Sequence, residues 1–188
     1  RARPILSARD PVNRERGAGS DMTTDQSDAP ATPRPDRPET EASYGIPDAG
    51  DGMLEWSFVA ETLAQEENYW VTTIRPDGLP HARPTWGVWV DDAFHCGGGE
   101  RTRWVRNLAA NPAIVVHTES AESVVIVEGA AERLTEETAP TERLDRLDDA
   151  YEAKYEIRHG TPFFAVHPDR VLAWTDYPTD ATRWRFDG

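Results

Sequence analysis

From Tyr69 to its C-terminus the chain is a succession of short runs rich in aromatic and β-branched residues, most of them joined by turns too short to hold a crossover helix. No other feature constrains the fold as strongly. Parallel neighbours need a crossover of about a dozen residues or more, whereas antiparallel neighbours need only a turn. Tyr69–Arg75 reads as the first strand and ends in Pro76-Asp77-Gly78, where proline sets φ and glycine tolerates a positive one. His81–Val90 reads as the second, and Asp91-Asp92 then turns the chain into Ala93–Gly97. Ala113–Glu119 and Ser123–Leu134 follow, then Phe163–His167, Val171–Tyr177 and Thr182–Phe186. Alternating βαβ units are missing, which argues against a doubly wound sheet. The expected architecture is mainly β with flanking helices, a closed or partly closed barrel.

Three segments read as the helices. Trp56, Val59, Ala60 and Leu63 recur at helical spacing within 55–67. Arg101–Asn111 is stopped by Pro112, and 137–158 carries Leu144, Leu147, Tyr151 and Tyr155 on one stripe. Ahead of them the composition breaks near residue 53. Residues 1–52 hold seven of the fifteen prolines and few large apolar side chains, too little to offset chain entropy. They read as a disordered, Pro-rich acidic tail, and 53–188 as one globular domain. The first stretch is rich in Arg, and Met22 and Met53 both suit a start. Residues 1–21 are therefore expected to be upstream sequence.

Charge narrows the partners. Acids outnumber bases 34 to 20, for a net charge of −14, and Lys154 is the only lysine. Such a chain repels a phosphate backbone, so nucleic acid is not an expected partner. No apolar run approaches the roughly 18 residues of a membrane span. A single cysteine, Cys96, excludes an internal disulfide and a cysteine-based zinc site. No apolar leader is visible, and the expected setting is the cytoplasm. The acid excess with one lysine points to a halophilic one, where hydrated carboxylates keep a protein soluble.

One segment carries recognisable chemistry. In Gly97-Gly98-Gly99-Glu100-Arg101-Thr102-Arg103 a strand ends in glycines just before a helix with hydroxyl and guanidinium groups at its start. Backbone N–H groups, the helix dipole and Arg forks together suit a phosphate. Neither a Walker loop nor a GxGxxG fingerprint is present, and a flexible turn with a solvated Arg pair accounts for the same residues. His81, His95, His117, His159 and His167 show no metal-site spacing, and nothing in the sequence places one at a groove. Cys96 reads as a small apolar core residue. Seven tryptophans are read mostly as core or dimer-interface anchors. Trp86 and Trp89 have opposite strand parity, so one of them is available to a ligand or a second subunit.

Taken together, Pro80-His81-Ala82-Arg83-Pro84-Thr85-Trp86-Gly87-Val88-Trp89-Val90, the strand ending at Gly97, the run Thr102-Arg103-Trp104-Val105-Arg106-Asn107-Leu108-Ala109-Ala110-Asn111-Pro112 and the ending Ala181-Thr182-Arg183-Trp184-Arg185-Phe186 resemble the pyridoxamine 5′-phosphate oxidase-like superfamily of split β-barrel flavoproteins. The resemblance spans Trp56 to Phe186. It implies a homodimer with the cofactor in a groove at the subunit interface. It places Arg83, Thr102 and Arg103 at the cofactor phosphate, Pro84, Thr85 and Trp86 along the ring and ribityl chain, and Gly97 and Gly98 beside that chain. Two departures stand out. Trp104 occupies the position where lysine is usual, leaving Arg101 or Arg106 to compensate or Trp104 to cover the ring. Gly97-Gly98 replace bulkier, hydroxyl-bearing residues. The substrate motif of the oxidase itself is not seen near the C-terminus, so the resemblance points to the smaller reductases. The implied function is an oxidoreductase passing a hydride between FMN or coenzyme F-420 and a small organic substrate. The alternatives are a non-catalytic carrier of flavin, haem or another ligand on the same barrel, and a structural dimer with a vacant groove.

Overall fold

The computed structural model describes residues 33–47 and 50–186. Residues 33–47 belong to the stretch expected to be disordered, yet they dock. β1 (Pro35–Asp36) pairs antiparallel with Arg183 and Trp184 of the last strand. Asp36 accepts from Nε and Nη2 of Arg183, both at 2.8 Å, and Arg183 is only 7 % exposed. Arg37 donates to the carbonyls of Thr179 and Ala181 at 2.9 and 3.0 Å, and Tyr44 meets Tyr177 edge-on. The segment is too apolar-poor to build a core. It attaches instead by charge and backbone pairing, which a composition argument does not score. The expectations for residues 1–32 lie outside the described residues.

The Arg183 guanidinium holds the Asp36 carboxyl below its ordinary range. A depressed carboxyl stabilises the fold above its unfolded pKa of about 4, and that contribution is lost as pH falls through the folded value. Asp36→Ala is expected to lower the unfolding free energy by about 1–2 kcal/mol near neutral pH, the half-exposure of Asp36 limiting the loss. Wild type and variant should converge in acid. Urea unfolding near neutrality and in acid measures both.

α1 (Trp56–Gln65) buries Val59 and Leu63, four residues apart and so on one face. β2 (Tyr69–Ile74) meets them with a strict alternation that buries Tyr69, Val71 and Thr73. The turn that follows has Gly78 at φ 80°, its N–H donating to Arg75 O at 2.8 Å. It returns the chain as β3 (Pro80–Thr85), antiparallel to β2. The expected strand His81–Val90 is not continuous. It breaks at Trp86-Gly87, and β4 (Val88–Val90) pairs instead with β5 (Ala93–Gly97). Gly87 permits the break, since a Cβ there would lie 2.1 Å from Phe94 Cζ. Asp91 and Asp92, at φ 52° and 55°, make the two-residue hairpin turn that needs positive φ at both positions.

α2 (Arg103–Ala110) turns Trp104, Val105, Asn107 and Leu108 inward and leaves Arg103 and Arg106 exposed. Asn107 Nδ2 donates to the buried Thr73 hydroxyl at 3.0 Å, docking α2 on β2. β6 (Ala113–Thr118) lies between β2 and β7 (Val124–Leu134). α3 (Thr141–Tyr155) buries Leu144, Leu147 and Tyr151 of the expected stripe. The segments Phe163–His167 and Val171–Tyr177, expected as two strands, are one strand, β8 (Phe163–Trp174), paired along β7. Pro168 does not end it because it sits opposite Gly129 at the edge of a bulge, where the register skips Asp169 between Glu128 and Gly129. β8 pairs with β5 through its first half and with β9 (Thr182–Arg185) through its second. The path β1-β9-β8-β7-β6-β2-β3, with β5 and β4 branching from β8, does not close on itself. The fold is thus mainly β with three α-helices among the described residues, an open, split barrel. No described helix is long and apolar enough to cross a membrane.

Candidate functional site

A groove of about 470 Å³ opens beside the break between β3 and β4. The end of β3 lines it with Arg83, Pro84, Thr85 and Trp86. The end of β5 and its continuation contribute Gly97, Gly98 and Gly99, and the start of α2 contributes Thr102 and Trp104. Tyr151 of α3 ties the two strand ends together. Its hydroxyl accepts from Gly97 N–H at 2.9 Å and donates to Trp86 O at 3.1 Å. Burial pushes this phenol well above its ordinary range, which keeps it neutral and able to donate. Asn68 and His159 complete the lining.

The aromatic end is Trp86. It is 46 % exposed and stacks on Tyr155 with centroids 4.7 Å apart and planes 7° from parallel. Tyr155 shares its hydroxyl between the carbonyls of Glu67 and Gly87, both at 2.8 Å. Lys154 supports the same break, donating to Tyr69 Oη at 2.8 Å and Gly87 O at 3.0 Å. Burial lowers the Lys154 pKa to about 8, against the raising influence of Glu66 and Glu67. The folded chain therefore gives up this proton near pH 8 and the unfolded chain near pH 10. Between those values the unfolded state holds more protons, so stability rises with pH over that window. Above it the buried phenols of Tyr69, Tyr151 and Tyr155, all pushed upward, reverse the trend. Lys154→Met is expected to abolish the rise between about pH 8 and 10, as read from urea midpoints across that range.

The floor is glycine over aromatic rings. A Cβ on Gly98 would fall 2.1 Å from Trp104 Cζ2, and one on Gly97 would fall 2.2–2.4 Å from Cε1, Nδ1 and Nε2 of His159. Trp104 is 1 % exposed and packs on Phe164, so it lies under the groove, which goes against the alternative in which it covers the ring. The anionic end is simpler than the sequence implies. Arg83 is the only Arg or Lys lining the groove among the described residues. Its Nε donates to Pro84 O at 2.9 Å, which leaves the terminal nitrogens available. Thr102 precedes α2, whose first-turn N–H groups have no intrahelical acceptor and no side-chain cap, and whose first turn holds no acidic residue. Arg101 and Arg103 are exposed and do not line the groove, and Glu100 is paired with Arg133.

The fold thus gathers Arg83, Pro84, Thr85, Trp86, Gly97, Gly98, Thr102 and Trp104 of the expected residues, and leaves Arg101 and Arg103 outside. Asn68, Tyr151 and His159 were not expected there. Tyr151 was legible only as part of a core stripe, and His159 carried no spacing signal at all. Cys96 is buried, and burial pushes its thiol up to about 12, so it is no nucleophile. Burial lowers His95 to about 4 and keeps it neutral. Among the described residues no group of three or more His, Cys, Asp or Glu would hold a metal ion.

The family model described as pyridoxamine 5′-phosphate oxidase matches residues 57–175. A search of curated proteins gives no significant match. Among solved structures, a conserved hypothetical protein from Mycobacterium tuberculosis is similar with a TM-score of 0.57 at 19 % identity, covering 67 % of this chain and 88 % of that one. A heme binding protein from Mycobacterium smegmatis gives 0.55 at 20 % identity, covering 68 % and 57 %. A putative pyridoxamine 5′-phosphate oxidase from Listeria innocua gives 0.53 at 13 % identity, covering 64 % and 98 %. At these identities the similarity is one of fold.

Proposed function

The chain belongs to the pyridoxamine 5′-phosphate oxidase family, and from that premise we propose that its groove holds a phosphorylated flavin-type cofactor, FMN or coenzyme F-420, and that the protein is an oxidoreductase acting on a small organic substrate. The observation that carries this reading is the pairing, in one groove, of an exposed stacked indole with a cationic, helix-capped end. A planar ring has Trp86 to lie against, and an anion has Arg83, Thr102 and the start of α2. The volume of about 470 Å³ falls within the roughly 300–1,000 Å³ of small-molecule sites. Among the described residues the groove lining contains no carboxylate, and its one phenol is held neutral. This suits a division of labour in which the bound ring supplies hydride chemistry and the protein supplies binding, orientation and exclusion of water. The groove is open to solvent, and the working unit is proposed to be a homodimer, as the family resemblance implies, with a second copy closing it. The acid-rich surface with a single lysine supports a cytoplasmic, high-salt setting.

The test is an absorbance spectrum and a mass spectrum of the small molecule released from protein purified in high salt, followed by reconstitution with FMN and with coenzyme F-420. Binding of either, with reduction of an acceptor by the reconstituted protein, supports the reading. Tight binding without turnover on any acceptor favours a carrier. Binding of neither overturns it.

A further inference from the structure

His159 is the groove residue whose placement asks for a ligand. Its ring lies on Gly97, where any side chain would displace it. Nδ1 faces Gly160 O at 2.8 Å and so carries the proton of the neutral ring. Gly160, at φ 73°, is itself held by its N–H donating to Asp148 Oδ1 at 2.8 Å. The imidazole is wedged between Tyr151 and Phe163, with centroids 5.3 and 5.6 Å away. Helix α3, the loop after it and β8 therefore fix one tautomer in one orientation. Nε2, a lone-pair acceptor in that tautomer, has no partner among the described residues, and His159 lines the groove.

The position along the groove says what this acceptor meets. Gly97 N–H and Trp86 O share the Tyr151 hydroxyl, which places His159 next to the aromatic end. Gly98, Gly99 and Thr102 continue from Gly97 to the anionic end. His159 thus stands between the two, beside glycines that offer no side chain of their own. We propose that His159 Nε2 accepts a hydrogen bond from a hydroxyl on the chain that joins ring to phosphate, and so selects ligands with a hydroxylated linker over those with a plain alkyl one. An alkyl linker would leave the nitrogen dry and unpaired, which costs binding free energy. The inference rests on the flavin reading above and adds to it a residue that discriminates linker chemistry.

The experiment compares FMN with a flavin carrying an unhydroxylated N10-alkyl phosphate, titrated into wild type, His159→Phe, His159→Gln and Gly97→Ala, with thermal unfolding as the check on folding. Wild type should prefer FMN by about tenfold, the size of one well-placed hydrogen bond. His159→Phe should lose that preference and bind the alkyl analogue as wild type does. His159→Gln, whose amide oxygen also accepts, should keep part of it. Gly97→Ala should lose it with the histidine still present, because the new Cβ pushes the ring aside. Equal preference in wild type and His159→Phe overturns the inference and leaves the flavin reading standing. So does a haem complex whose Soret band depends on His159, which would make Nε2 a metal ligand. If wild type binds neither these flavins nor coenzyme F-420, the flavin reading falls and takes this inference with it, so the two failures are distinct.

Discussion

Trp104→Ala is expected to remove about 3–5 kcal/mol from the unfolding free energy, the loss usual for deleting a large aromatic side chain from a packed core. The indole is 1 % exposed, tilts against Phe164 with centroids 5.1 Å apart, and carries Gly98 on its six-membered ring. Gly98 cannot help fill the hole, since glycine has no side chain to move into it. Trp104→Lys, which installs the residue the family resemblance leads one to expect, should cost a comparable amount. Its ammonium would have to leave a dry site or give up its charge. Adding Gly98→Ser to Trp104→Lys should recover part of that loss, although Gly98→Ser alone should be destabilising, with Oγ and Cβ driven onto the indole. Gly98 and Trp104, two of the departures that the resemblance implies, are therefore expected to be energetically coupled, since a side chain at Gly98 would meet the indole. Urea unfolding of the three variants measures the coupling. Additive losses would show that ring and glycine are independent, and a loss under about 1 kcal/mol for Trp104→Ala would show that the indole is not packed as described.

What the sequence made legible follows from which forces leave a local pattern. Alternation along Tyr69–Ile74 and the helical stripe of Leu144, Leu147 and Tyr151 are burial patterns, and both elements lie where periodicity puts them. The break at Trp86-Gly87 leaves no such pattern. The same kinds of residue continue through it, and its cause is Phe94, which arrives across a hairpin. The uninterrupted β8 was hidden by Pro168, because the bulge that accommodates a proline depends on the partner strand, at Glu128 and Gly129. The docking of Pro35 and Asp36 was hidden for a third reason. It depends on a buried guanidinium some 147 residues later in the chain, and composition sees only a proline-rich acidic stretch.

The groove divides in the same way. Of its contiguous pieces, the glycine run to Thr102 reads as an anion site from its own chemistry, whereas Arg83 to Trp86 comes only from the family resemblance. His159 and Tyr151 arrive from α3 and the loop after it, and only the fold brings them to Gly97. Arg101 and Arg103 show the converse limit. They sit in the right stretch of sequence, but the helical phase of α2 sends Trp104 inward and leaves its arginine neighbours in solvent.

Arg83→Ala is expected to weaken binding of a phosphorylated cofactor by about ten- to hundredfold, the range of one hydrogen bond to a charged group at about 1.5–3 kcal/mol. No second cation lines the groove among the described residues, so none is in place to substitute for it. The protein's net charge of −14 makes the position more demanding, because an approaching anion is repelled by the chain as a whole. The penalty should shrink as salt is raised, since screening removes both the repulsion and the attraction. Riboflavin, which lacks the phosphate, should bind wild type and variant alike, which separates a charge effect from damage to the groove. Arg83→Lys should restore only part of the affinity, the ammonium lacking the planar fork that matches a phosphate. Arg103→Ala in parallel decides between two arrangements of the anionic end. Unchanged FMN affinity assigns the grip to Arg83 and the start of α2 within one chain. A loss equal to that of Arg83→Ala would mean that Arg103 reaches the phosphate across a groove completed by a second copy, as an exposed guanidinium at the rim of a homodimer would.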